Sequence, residues 1–223
     1  MAFLLFAYLF VITLACVAML GLQGIWQSLV TLFNVMMAVV LALNYYEPAT
    51  TWLDSQMPSY SYLLDVLVMW SFFAVFFGIS TFLTNVASKV KVRFLKPIDL
   101  AGGIIISLGV AWILISFTMT SLHTAPLARN SFGGAFQPEP DSRMFMGLAP
   151  DRKLLALMHK LSTGSFAKSP PADDPDRYVF DPEGNFILTY GGRRATFETT
   201  RDLRVNREFG SGDIEKEIQI LEQ

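Results

Sequence analysis

Charge is almost missing from the first half of this sequence. No Asp, Glu, Lys or Arg occurs in residues 1–46, and residues 1–122 hold only four basic side chains (Lys89, Lys91, Arg93, Lys96) and four acidic ones (Glu47, Asp54, Asp65, Asp99). A soluble domain is about a quarter charged, so this half is not an ordinary soluble core. Cysteine is nearly absent too. A lone Cys16 excludes an internal disulfide, and with only two histidines (His123, His159) the ligands of a metal cluster are lacking. Cys16 reads as a small lipid- or core-facing residue. A net charge of −2 leaves no basic footprint for nucleic acid. No Gly-rich phosphate loop is present. Ser165-Phe-Ala-Lys168 fits the Ser-x-x-Lys pattern, in which an amine one helical turn away activates a hydroxyl. Ser88-Lys-Val-Lys91 fits it equally, and neither is followed by Lys-Thr-Gly. The expectation is a non-enzymatic chain with no cofactor and no metal.

What the first half has instead is long apolar runs. The hydrocarbon core of a bilayer takes about 20 helical residues. Runs at 2–20, 25–44, 62–86 and 97–122 predict four transmembrane helices. Only Gly21-Leu-Gln-Gly24 separates the first two, a link short enough to force an antiparallel hairpin. A polar loop at 47–59, with Pro48, Asp54 and Pro58, separates the second from the third. No basic residue precedes the first run, which argues against a cleaved signal peptide. Lys89, Lys91, Arg93 and Lys96 all fall between the third and fourth runs, and the 47–59 loop has no Lys or Arg. The positive-inside bias puts the third loop in the cytoplasm and both termini outside it. The expected location is a bacterial inner membrane, crossed several times.

Within lipid, helices associate through small residues and polar contacts. Three stripes have the required spacing: Gln27, Thr31, Asn34, Ala38 and Ala42; Ser71, Ala74, Gly78, Thr81 and Asn85; and Gly102, Gly103, Ser107, Gly109, Ser116 and Thr120. They read as helix contacts. The alternative is a polar path lined by Gln27, Asn34 and Asn85, in a small transporter or channel subunit. Asp65 and Asp99 each sit near the start of a span, where a carboxylate faces the positive end of the helix dipole. Those starts lie on opposite membrane faces, about 30 Å apart, so the two cannot form a catalytic or proton-sharing pair within one subunit.

These residues resemble the colicin V production protein (CvpA) family. The resemblance rests on the turn Gly21-Leu-Gln-Gly24 and on Pro97-Ile-Asp99-Leu-Ala-Gly102-Gly103-Ile-Ile-Ile-Ser107-Leu-Gly109, with the basic stretch before it. It covers about residues 1–122. Asp99 and Gly103 match, Ser107 stands where a second glycine is usual, and Gln23 replaces a customary arginine. The resemblance implies a four-span inner-membrane protein acting in colicin V (toxin) production or export, or more broadly in the envelope. The expected role is that of a scaffold or assembly component, with envelope proteins, export proteins or further copies as partners beside the lipid bilayer.

The polar tail, 123–223, holds 8 of the 11 prolines and 9 of the 15 glycines. Residues 150–168 predict an amphipathic helix (Leu154, Leu155, Leu157, Met158 and Leu161, with Lys153 and Lys160 beside them) that covers the membrane, a partner or a small core. Short strands are predicted within 178–199, with turns at 181–185 and Gly191-Gly192. Arg193, Arg194, Arg201, Arg204 and Arg207 read as a solvated face paired with Glu198, Asp202 and Glu208, and 213–221 as a terminal helix. His123 reads as an interfacial residue. The predicted fold class is an all-α membrane bundle of four transmembrane helices with a small α+β or partly disordered polar C-terminal tail. A membrane-anchored extracytoplasmic binding module, with the tail as its working part, is the remaining functional reading.

Overall fold

A computed structural model of the chain describes residues 2–57, 61–88, 94–128, 131–137, 147–164 and 179–199. Among them are six α-helices and no strand: α1 (Ala2–Leu20), α2 (Ile25–Gln56), α3 (Ser61–Ala87), α4 (Lys96–Thr124), α5 (Pro150–Thr163) and α6 (Phe186–Thr199). Four of them, α1 to α4, are long and apolar enough to cross a membrane. Lys89, Lys91, Arg93, Arg129, the Ser165–Lys168 motif, Arg201, Arg204, Arg207 and the 213–221 helix lie outside the described residues. Lys96 is the exposed first residue of α4.

The helices begin and end where local chemistry requires. A single 3₁₀ turn, Gly21–Gln23, joins α1 to α2. Pro97 sits in the first turn of α4, where its missing N–H leaves no helical bond unmade. The expected 47–59 loop is corrected: α2 runs straight through Pro48 to Gln56. Tyr46 and Thr50 are buried one turn apart, Ala49 and Leu53 pack beside them, and Pro48 faces outward. The helical face therefore continues past the apolar run. The hydroxyls of Thr50 and Thr51 both donate to the Glu47 carbonyl, each at 2.9 Å. With 32 residues, α2 is about 48 Å long at 1.5 Å per residue, well over the roughly 30 Å of hydrocarbon.

In the bundle, α2 packs along α3 and α4, and α1 packs chiefly on α4. Trp70 of α3 donates to Ser121 of α4 at 3.0 Å, and Phe73 of α3 stacks on Phe117 of α4 with centroids 4.9 Å apart.

The expected strands are also corrected. Residues 186–199 form α6, whose buried positions follow a helical period. Phe186, Tyr190 and Arg194, spaced by four, are buried, whereas Leu188 is half-exposed. Asp181 accepts the backbone N–H of Asn185 (2.8 Å) and of Phe186 (3.2 Å), which starts a helix. α5 ends at Thr163 rather than 168. The tail helices are not a layer apart: Leu154, Leu155 and Met158 of α5 and Phe186 and Tyr190 of α6 share one core with Val39, Tyr46, Val68 and Phe117 of the spans.

Candidate functional site

Two polar clusters tie the bundle, one at each end. The first is the α1–α2 turn against the start of α4. The Asp99 carboxylate accepts the backbone N–H of Ile25 at 2.8 Å. It caps α2 from another helix, satisfying an orphan donor where the dipole favours a negative charge. Gly24 (φ 86°, ψ 172°) lies in a region open almost solely to glycine. A Cβ there would meet the Asp99 carboxylate oxygens at 2.6 and 2.8 Å, and a Cβ on Gly103 would come 2.7 Å from the Gly21 carbonyl oxygen. Ser28 closes the turn by donating to the Leu20 carbonyl at 3.1 Å. The turn motif and the fourth-span motif are thus one contact. Gly102 faces the Ile25 side chain, and Ser107, fully buried, donates to the Ile104 carbonyl at 2.7 Å.

The remaining predicted packing residues divide. Gly109 makes an ordinary contact with Leu32, and Gly78 has open space where a Cβ would go. Ser71, Ala74 and Asn85 are exposed with it, so of the α3 stripe only Thr81, with its hydroxyl buried, turns toward the rest of the chain. The α3 face against α4 is aromatic instead, through Trp70 and Phe73. The polar path is likewise not formed within one chain. Asn34 is buried and donates to Thr84 at 3.0 Å, Gln27 is half-buried and Asn85 faces outward.

The second cluster, at the opposite end, was missed in the sequence. Asp65 is fully buried and pairs with Arg193 at 2.5 Å, so it is not merely a helix-start residue. The Arg193 guanidinium also lies 5.1 Å from the Tyr190 ring centroid, and the Tyr190 and Tyr46 hydroxyls are 3.4 Å apart. Arg194 is 4% exposed; it donates to the His123 carbonyl at 3.0 Å and to the Phe136 carbonyl. A cation on the last carbonyls of α4 complements the negative end of its dipole. Arg193 and Arg194 are therefore corrected from a solvated face to ties between helices, Arg193 partly buried and Arg194 fully so. His123 is corrected as well: it is 1% exposed, its ring lies edge-on to Phe136, and Nε2 is 3.0 Å from an Asp151 carboxylate oxygen. The signal for this cluster was available only in the four-residue spacing of Phe186, Tyr190 and Arg194.

Burial alone would raise the Asp151 carboxyl, but the hydrogen bond from His123, helped by Arg152, outweighs it and holds the group below its ordinary value. A depressed folded-state value means stability that is present above the unfolded carboxyl range and lost as pH falls through the folded value. Thermal melts should therefore show wild-type protein losing stability below about pH 4, and Asp151→Asn should flatten that part of the profile. An identical acid profile in the variant would refute the assignment.

A helical bundle whose apolar helices cross the membrane, with ionised groups gathered at the two ends, defines a multi-pass membrane protein. The chain belongs to the colicin V production protein family: its family model matches residues 6–137. No curated protein and no solved structure matches the chain. The matched segment holds all four spans, Asp65, Asp99 and Phe136. It ends before α5 and α6, so the arginines that reach Asp65 and the end of α4 come from beyond it.

Proposed function

We propose that the chain serves colicin V production, or a related envelope process, as a non-catalytic scaffold in the bacterial inner membrane, with both termini extracytoplasmic. The observation that carries this reading is the use of its ionised groups as ties between helices: Asp99 on the start of α2, Asp65 on Arg193, and Asp151 on His123. A frame that holds export or envelope partners in register needs such fixed geometry. The lysine cluster before α4 supports the orientation.

Orientation is tested with single cysteines at Gln56, Lys91 and Thr163 in a Cys16→Ser background. An impermeant maleimide should label Gln56→Cys and Thr163→Cys on intact spheroplasts, and Lys91→Cys only after permeabilisation. Outside labelling of Lys91→Cys would reverse the topology. The role is tested in a toxin-producing strain lacking the protein. Wild type should restore colicin V release, and proteoliposomes should pass no ions. An ion flux abolished by Asn34→Ala or Gln27→Ala would overturn the scaffold in favour of a conduit.

A further inference from the structure

We propose that α5 lies in the membrane interface on the side opposite the lysine loop, and that Lys153 and Lys160 hold the phosphates of anionic phospholipids there. The lipid-facing side chains of α4 supply the first observation. Ile98, Leu100, Ile104, Ile105 and Leu108 are exposed, as expected of a helix against lipid, and the series stops at Leu108. From Ile115 to Ala125 every residue but Leu122 is buried within the protein. α5 packs on α4 and contributes Leu154, Leu155 and Met158 to the core that holds Phe117. The surface that meets the surroundings at this level therefore includes the outer face of α5.

The second observation fixes that level. Counting about 20 residues of helix from Lys96, the first residue of α4, brings the far edge of a 30 Å hydrocarbon layer near Ser116. Trp112 is one turn short of it, and the Lys153 ammonium lies 5.6 Å from the Trp112 ring centroid. Tryptophan and lysine side by side at that depth are the side chains that anchor a helix among headgroups, ring toward the acyl chains and ammonium toward phosphate.

The third observation is the composition of the face itself. Lys153, Ala156, Leu157 and Lys160 form the exposed stripe of α5, and Leu157 is 39% exposed between the two lysines. Leu148, just before the helix, is 42% exposed. Neither lysine makes an ion pair with a described residue, and the nearby Asp151 carboxylate is turned inward to His123. Two cations flanking exposed apolar carbon at the hydrocarbon edge complement an anionic headgroup above its acyl chains. The lysines are seven residues apart, about 10 Å along the helix axis, so each reaches a phosphate of its own.

The test uses the full-length protein in nanodiscs of phosphatidylcholine containing a minority of phosphatidylglycerol. Lipid co-purifying after detergent extraction should be enriched in phosphatidylglycerol over the starting mixture. Lys153→Gln/Lys160→Gln should lower that enrichment about five-fold, and each single glutamine variant by up to half, while Lys153→Arg/Lys160→Arg keeps it. Equal recovery of the two lipids in wild type, or unchanged recovery in the double glutamine variant, would overturn the proposal. An independent readout is a spin label on Leu157→Cys in a Cys16→Ser background. It should be more accessible to dissolved oxygen than to a water-soluble nickel complex. The reverse ranking would place α5 in water and end the proposal.

Discussion

Alanine at Gly24 is expected to cost the folded bundle about 1.5–5 kcal/mol. Two contributions add. The backbone there (φ 86°, ψ 172°) is held in a region that costs about 1–3 kcal/mol for a residue with a Cβ. The new methyl would also lie 2.6 Å from an Asp99 carboxylate oxygen. Relief requires pulling Asp99 off the Ile25 N–H, a lost helix cap worth about 0.5–2 kcal/mol. Asp99→Ala should lose only the second contribution, and Asp99→Asn, which keeps an acceptor oxygen, less still. Gly103→Leu should match Gly24→Ala in severity, because the obstructing atom is the Gly21 backbone carbonyl rather than a movable side chain. Gly78→Ala, with open space around it, should be silent. Denaturation in mixed micelles ranks the five variants. A Gly24→Ala protein that melts with wild type would show that the turn and α4 do not form the described contact.

Removing the Arg193 guanidinium is the second large effect. Asp65 is fully buried, and Arg193 is its ion-pair partner at 2.5 Å. Deleting one member of a buried pair typically costs about 3–5 kcal/mol, because the remaining charge keeps its desolvation penalty without its counter-ion. Arg193→Met should therefore destabilise strongly, and Asp65→Leu should do likewise. The double variant Asp65→Leu/Arg193→Met should recover much of the loss, since apolar groups of similar volume often replace a buried pair at little net cost. The stabilities of the four proteins close a double-mutant cycle. Strictly additive losses would mean that the two side chains act independently. A chain truncated after Gln137 should behave like Arg193→Met or worse, because it also removes the Tyr190 ring beside Tyr46 and the Arg194 bonds at the end of α4.

The spans and one of the two clusters were legible in the sequence because both are written in local terms. A run without charge has one solution in lipid. A Gly-x-x-Gly turn and an aspartate four residues before a glycine mark two backbones that approach closely. Even so, the sequence showed two motifs, and only the fold shows that they touch. The other cluster was illegible for a definite reason: Asp65 and Arg193 are 128 residues apart, and no pattern near either names the other. The tail misled through composition. Ile187, Thr189 and Tyr190 favour a strand locally and the glycines at 191 and 192 a turn, but burying Phe186, Tyr190 and Arg194 together outweighs both preferences. Pro48 misled in the same way, since a proline facing outward on a long helix breaks one bond without ending the helix.

The distance in sequence between Ile25 and Asp99 has a consequence for biosynthesis. The carboxylate that completes the first hairpin is encoded 74 residues after the amide it receives. At about 5–20 residues per second, the ribosome delivers it roughly 4–15 s later. Through that interval the nascent hairpin sits in the bilayer without its cap, and α1 without the α4 surface on which it packs. The last span to leave the translocon is therefore the one that seals the first two. A chain stalled before α4 would lack both the Asp99 cap on α2 and the α4 surface that α1 packs on.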